Sequence, residues 1–263
     1  MSPETGFDLM PAGDGAPPLV AEGLRKTYRG ADRPALAGVD LSVEKGEIFG
    51  LLGPNGAGKT TAISIMSSLM RPDRGRVAIC GIDVFGQPRR ARRRFGLVPQ
   101  EIALYEGLTV RENLIYFGRL CGLKGQGLRD RVSACLDLAG LSEKADHRIA
   151  TFSGGMKRRA NLVAGIIHTP RLVFLDEPTV GIDAQSRQMI LDRLSELSRE
   201  GMSMIYTTHY MEEAEALCAR VAIIDEGRII ARGKPADLIG AREGCKNLGD
   251  LFILLTGKRL RDG

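Results

Sequence analysis

The chain has 263 residues, 43% hydrophobic and 26% charged, enough to bury one sizeable core or one core with an inserted subdomain. These proportions exclude a low-complexity chain, and no apolar run approaches the roughly 18 residues needed to span a bilayer; the longest, Leu172–Leu175 and Leu251–Leu255, are strand-length or shorter. A net charge of +5 leaves an anionic partner open, but no Trp and 5% aromatics leave few stacking residues, and no nucleic acid is expected as a partner.

Met1–Pro18 is rich in Pro, Gly and acidic residues and lacks a basic start followed by an apolar stretch, so it is expected to be a mobile leader rather than a secretory signal. Leu41–Val43 and Glu47–Leu52 read as strands, and the helical spacing of Lys59–Met70 is expected to end at Pro72. Arg76–Cys80 and Phe95–Val98 are further strands. The run Arg89–Arg94 between them suits either a solvated helix face or contact with anionic headgroups or an acidic partner, at about 1 kcal/mol per basic residue near a membrane surface. From Leu108 to Thr151 the texture is helical, opening on the capping box Thr109-Val110-Arg111-Glu112. A helix from Ser153 to about Ile167 follows, then a strand at Leu172–Leu175 and a helix at Ala184–Arg199 closed by Gly201. Met202–Thr207 is a strand, and Val221–Ile224 and Arg228–Ala231 flank a hairpin turn at Asp225-Glu226-Gly227. Alternating strands and helices indicate an α/β fold, and the absence of an internal repeat indicates one such unit per chain. Five scattered Cys without a C-x-x-C pair point to a reducing compartment rather than to disulfides or structural zinc.

Three segments carry chemistry. Gly53-Pro54-Asn55-Gly56-Ala57-Gly58-Lys59-Thr60 fits G-x-x-x-x-G-K-[ST] between a strand and a helix. Its glycines let backbone N–H groups converge on phosphate oxygens, Lys59 brings a full charge to the β- and γ-phosphates, and the Thr60 hydroxyl suits Mg²⁺. Leu172–Glu177 is an apolar strand ending in two acids: Asp176 is placed to hold Mg²⁺ and Glu177 to act as general base on water. Ser153-Gly154-Gly155 opens a helix with exposed N–H groups, a second anion-binding surface or a plain helix cap.

With these in order, the chain resembles the ATP-binding subunits of ABC transporters from about Leu19 to its C-terminus. Gly53–Thr60 resembles the Walker A motif, Ser153–Met156 the family signature and Leu172–Glu177 Walker B. The resemblance implies a P-loop, RecA-like core sheet with an antiparallel β subdomain and an inserted α-helical subdomain. It places the leader at 1–18, the ATPase domain at 19–235 with its helical part at 108–151, and a helical tail at 236–263. It also assigns residues. Gln100 resembles the Q-loop residue that senses Mg²⁺, Asp183 the D-loop residue and His209 the switch histidine at the γ-phosphate. Tyr28 resembles the aromatic stacking on adenine, and Thr61 joins the nucleotide site. Taken singly, Gln100 is equally a loop amide, Asp183 an N-cap, His209 a strand-end histidine and Tyr28 a half-buried ring.

The signature departs from L-S-G-G-Q at Phe152 and Met156, keeping the serine and both glycines. The resemblance implies a head-to-tail homodimer or pseudo-dimer, a multi-span permease as partner, ATP and Mg²⁺, and residence at the cytoplasmic face of a prokaryotic membrane. The tail Asn247–Phe252 and the Thr207–Glu215 run resemble drug- or polyketide-efflux subunits most. A DNA-repair or translation ATPase and an importer subunit are the alternatives.

Overall fold

The computed structural model describes residues 15–257, so the expected leader lies outside the described residues except for Gly15–Pro18, as do the last six residues of the expected tail. The chain begins with β1 (Leu19–Lys26), β2 (Leu36–Val43), β3 (Ile48–Leu52), α1 (Lys59–Met66), β4 (Arg74–Ile79), β5 (Ile82–Asp83), α2 (Pro88–Arg92) and β6 (Phe95–Val98). The helical stretch holds α3 (Val110–Leu120), α4 (Gly125–Ala139), two 3-10 turns at Ser142–Lys144 and Ile149–Thr151, and α5 (Gly154–Gly165). The remainder is β7 (Leu172–Asp176), α6 (Ala184–Arg199), β8 (Ser203–Thr208), α7 (Met211–Leu217), β9 (Arg220–Asp225), β10 (Arg228–Gly233), α8 (Pro235–Gly240) and α9 (Leu248–Thr256).

Two sheets form. An antiparallel one runs β2-β1-β4-β5, and a larger one runs β10-β9-β3-β8-β7-β6, parallel throughout except where β10 returns beside β9. Strands β3 and β7 are buried at every position, as expected for parallel strands covered on both faces. Their side chains divide by the two-residue period of a strand. Phe49, Leu51, Leu172 and Phe174 join α1 and the antiparallel sheet in one core, whereas Ile48, Leu52, Val173 and Leu175 join α3 to α6 in the other.

The capping box at α3 is present: Glu112 N donates to Thr109 Oγ1 at 3.1 Å and Thr109 N to Glu112 Oε2 at 2.8 Å. Buried Asn113 secures the approach to this helix, accepting from Tyr105 N at 2.8 Å and donating to the Tyr105 and Thr109 carbonyls.

Several boundaries differ from the sequence expectation. Helix α1 stops at Met66 rather than Met70, because Ser68 turns left-handed at φ 59° and Leu69 and Met70 both donate back to the Ser64 carbonyl. The chain has already turned before Pro72 can act. Strand β4 runs from Arg74 to Ile79, not from Arg76 to Cys80, and β8 starts at Ser203 and takes in Thr208. Leu41–Val43 is only the end of the longer β2, and α5 closes at Gly165 rather than near Ile167. The Leu251–Leu255 run is helical, since Asn247 caps α9 by accepting from Asp250 N at 2.8 Å and Leu248, Leu251 and Phe252 share its buried side.

In α2 only Ala91 is buried, while Arg89, Arg90, Arg92 and Arg93 are exposed. All five cysteines are free thiols, and burial pushes Cys135 up to about 11. Among the described residues no helix is long and apolar enough to cross a membrane.

Candidate functional site

Strands β3, β8, β7 and β6 are neighbours in one parallel sheet, so the loops leaving their carboxyl ends meet along one edge. Three of those loops begin with Gly53, His209 and Glu177, and the fourth begins with Pro99 followed by Gln100.

The loop after β3 depends on glycine at two close approaches. A Cβ on Gly53 would lie 2.2 Å from the Ile224 carbonyl oxygen, and one on Gly58, at φ 110°, would lie 2.5 Å from that of Ala35. Only glycine lets this backbone run so close to its neighbours and then turn directly into α1. Lys59, the first residue of α1, folds back and donates from Nζ to the Gly53 carbonyl at 2.8 Å and the Pro54 carbonyl at 3.2 Å. It also sits 3.1 Å from Glu177 Oε1, both side chains being almost fully buried. An ammonium held this way keeps its charge at the loop and faces one carboxylate.

Glu177 is held by its backbone. Its φ is 47°, unusual for a residue with a side chain, and its N–H donates to Thr207 Oγ1 at 3.0 Å. The Thr207 hydroxyl donates in turn to Asp176 Oδ1 at 2.7 Å. Sequence reasoning missed Thr207 as a functional residue; its adjacency to Thr208-His209 at a strand end was the available signal. His209 Nδ1 approaches Glu177 Oε2 to 3.3 Å without the alignment of a hydrogen bond.

A groove of about 500 Å³ opens over Lys59 and Glu177, lined by Pro54, Asn55, Gly56, Gly58, Lys59 and Thr60 on one side and by Gln100 and Glu177 on the other, while His209 lines a separate pocket with Tyr210 and Glu213. Tyr28, Ala35 and Thr61 line it as well, with the Tyr28 and Thr61 hydroxyls 3.1 Å apart, so the exposed Tyr28 ring is steadied at the rim. Gly53 and Ala57 lie behind the loop surface, and Asp176 is buried beneath it. Arg158 of α5 donates to the Gln100 carbonyl, tying this loop to the helical stretch. Burial holds Arg158 below the usual guanidinium value, with Glu177 acting in the opposite sense.

Ser153, Gly154, Gly155 and Asp183 are outside that groove. Ser153 caps α5, accepting from Met156 N at 3.3 Å, and Ser153 and Gly154 face solvent. Asp183 is exposed and caps α6, accepting from Ser186 N at 2.8 Å, and this bond holds its carboxyl below the usual range. The two helix starts lie against each other: a Cβ on Gly155 would come 2.1 Å from Ser186 Oγ. One face therefore carries a cationic loop with an acid opposite, and another presents exposed helix-start N–H groups; both suit phosphate oxygens.

A family model described as ABC transporter matches residues 36–180. A linearmycin resistance ATP-binding protein of Bacillus subtilis is 47% identical over 239 residues, covering 90% of this chain and 74% of its own length. A Nod factor export ATP-binding protein of Ralstonia nicotianae is 44% identical over 234 residues, covering 89% and 72%. Among solved structures, an ATP-binding subunit of an ABC transporter superposes with a TM-score of 0.82 at 31% identity, covering 90% of this chain and 99% of its own. A dimeric ATP-binding cassette in a post-hydrolysis state with ADP and Pi gives 0.74 at 27%, covering 82% and 98%.

Proposed function

The chain belongs to the ABC transporter family and is an ATPase of that family, and from that premise we propose that it powers efflux of a small molecule through a separate membrane permease. The resistance and export roles named for its Bacillus and Ralstonia relatives support the outward direction. The observation that carries the proposal is the separation of two phosphate-binding faces, with Lys59 and Glu177 in one groove and Ser153 and Gly154 exposed elsewhere. Two copies packed head to tail set the start of α5 in one against the Gly53–Thr60 loop of the other. A triphosphate supplies the negative charge that joins them, and its cleavage removes the join.

Within the groove the phosphates meet the Gly53–Thr60 backbone N–H groups, and Lys59 exchanges Glu177 for the β- and γ-phosphates. Tyr28 stacks on the base beside Thr61, while Ser153, Gly154, Gly155 and Asp183 act across the dimer. Thr60, Asp176 and Gln100 are the residues that would hold Mg²⁺. Their oxygen donors suit a hard cation, whose remaining ligands would be water and phosphate oxygens. Mg²⁺ bound there supplies charge neutralisation at the phosphates. Glu177, released from Lys59, accepts the proton of the attacking water, and His209 at its side positions the γ-phosphate. The ATPase domain spans 19–235 with its helical part at 108–151, and works at the cytoplasmic face of the membrane.

Phosphate release by the purified chain with Mg²⁺ and ATP tests the chemistry. Lys59→Ala is expected to reduce it to background, and unchanged turnover would sink the assignment of the groove. Affinity capture from membranes tests the coupling: a multi-span protein is expected to co-purify, and its consistent absence would remove the efflux role.

A further inference from the structure

Three of the buried side-chain atoms that lack a hydrogen-bond partner, His209 Nδ1, Arg187 Nε and Glu213 Oε1, belong to residues that line one pocket. None of Arg187, Tyr210 and Glu213 faces the nucleotide groove. Glu213, on α7, is almost fully buried, which is expensive for a carboxylate unless its oxygens are satisfied. One oxygen is. Oε2 accepts from Tyr206 Oη at 2.5 Å, Thr179 Oγ1 at 2.9 Å and Thr208 Oγ1 at 3.3 Å. These donors come from β8, from the turn after Glu177 and from the residue before His209. The other oxygen, Oε1, faces Arg187 Nε at 3.4 Å without completing a hydrogen bond.

Arg187 is on the first turn of α6, its N–H bonded at 2.9 Å to the carbonyl of Asp183, which caps that helix. Its guanidinium lies over the Tyr210 ring at 4.9 Å, and the Tyr210 ring packs on the His209 imidazole at 4.2 Å between centroids. The Tyr210 backbone is fixed by its N–H bond to Thr208 Oγ1 at 2.9 Å, so the hydroxyl that donates to Glu213 also sets the turn carrying His209. From the D-loop residue to the histidine, every step is a direct contact.

We propose that Arg187, Tyr210 and Glu213 form a clamp that positions His209 and couples its orientation to the start of α6. They are positioning residues, acting through His209 and the turn after Glu177 rather than on the nucleotide. The proposal rests on the reading of His209 as a residue of the reaction. Because the Asp183 end of α6 is exposed and belongs to the face assigned to the second protomer, contact there reaches His209 through Arg187 and Tyr210. Glu213 keeps the other end of the path fixed. Histidine orientation then follows dimer contact, while ground-state binding by Lys59 and Tyr28 is left alone.

The test compares kcat and KM for ATP in the full chain, with thermal unfolding measured alongside. Arg187→Ala, Tyr210→Leu and Glu213→Gln are expected to lower kcat by about 10- to 100-fold, the loss typical of a misplaced reacting group, with KM unchanged. Tyr210→Phe is expected to restore the turnover lost in Tyr210→Leu, because the ring and not the hydroxyl is the packing surface. Arg187→Ala removes only a half-exposed side chain, so it keeps the test valid should Glu213→Gln fail to fold. His209→Ala separates the two readings. If it loses turnover while the clamp variants stay at wild-type kcat, or raise KM alone, the clamp is overturned. If His209→Ala itself keeps wild-type turnover, the reading of His209 fails and the clamp with it.

Discussion

An alanine at position 155 brings a methyl carbon to 2.1 Å from Ser186 Oγ and 2.6 Å from Ser186 Cβ. Ser186 has little room to retreat, because its N–H is bonded to Asp183 Oδ1 at 2.8 Å as part of the α6 cap. Relief requires α5 and α6 to separate, and overpacking of this kind costs about 1–3 kcal/mol. At roughly 2–4 °C per kcal/mol for a chain of this size, Gly155→Ala lowers the unfolding midpoint by roughly 2–12 °C. Ser186→Gly removes both clashing atoms, and alone it costs about 1 kcal/mol as a glycine in a helix. The double variant is therefore expected to be more stable than the sum of the single effects predicts, by about 1 kcal/mol or more. Urea or thermal unfolding followed by circular dichroism measures all four corners of the cycle. Additivity within about 0.5 kcal/mol would refute the close approach of the two helix starts.

Two further expectations concern local chemistry. Thr109→Ala removes the α3 cap and lowers stability in urea by about 1 kcal/mol, while Thr109→Ser keeps it. The bond from the Thr109 N–H holds the Glu112 carboxyl below its usual 4.5. This contribution is therefore present above that value and lost as pH falls through the folded-state value, so Glu112→Gln flattens the acid limb of a stability profile below pH 4.5. Burial keeps the His168 pKa below its usual 6.5, outweighing the bond of its Nε2 to the Phe95 carbonyl. The unfolded chain then takes up a proton first, and stability falls as pH drops below 6.5. His168→Gln is expected to lessen that slope in urea midpoints compared between pH 7 and 5; an unchanged slope would contradict it.

How much of this was legible in sequence depended on the range of the interaction. Gly53–Thr60, the Thr109–Glu112 box and the Asp183 cap are set by neighbours a few residues away, and each is found where its spacing placed it. Strand β1 was not singled out, because a register shift between Ala21 and Leu24 breaks its alternation; Gly23 N there donates to Asp40 Oδ1 at 2.6 Å. The end of α1 was misplaced because Ser68 carries no sign in its residue type of adopting a left-handed turn. The contacts of Arg187 and Glu213 gave no signal because their partners lie on other strands and helices, brought together only by the order of the sheet.

Glu177→Gln tests the central claim most directly, since it keeps the shape of the side chain and removes the charge that faces Lys59 at 3.1 Å. Light scattering on the purified variant with ATP and Mg²⁺ is expected to show twice the 28.5 kDa mass of one chain, with phosphate release abolished. A variant that hydrolyses at the wild-type rate, or stays at the mass of one chain under saturating ATP, contradicts the account.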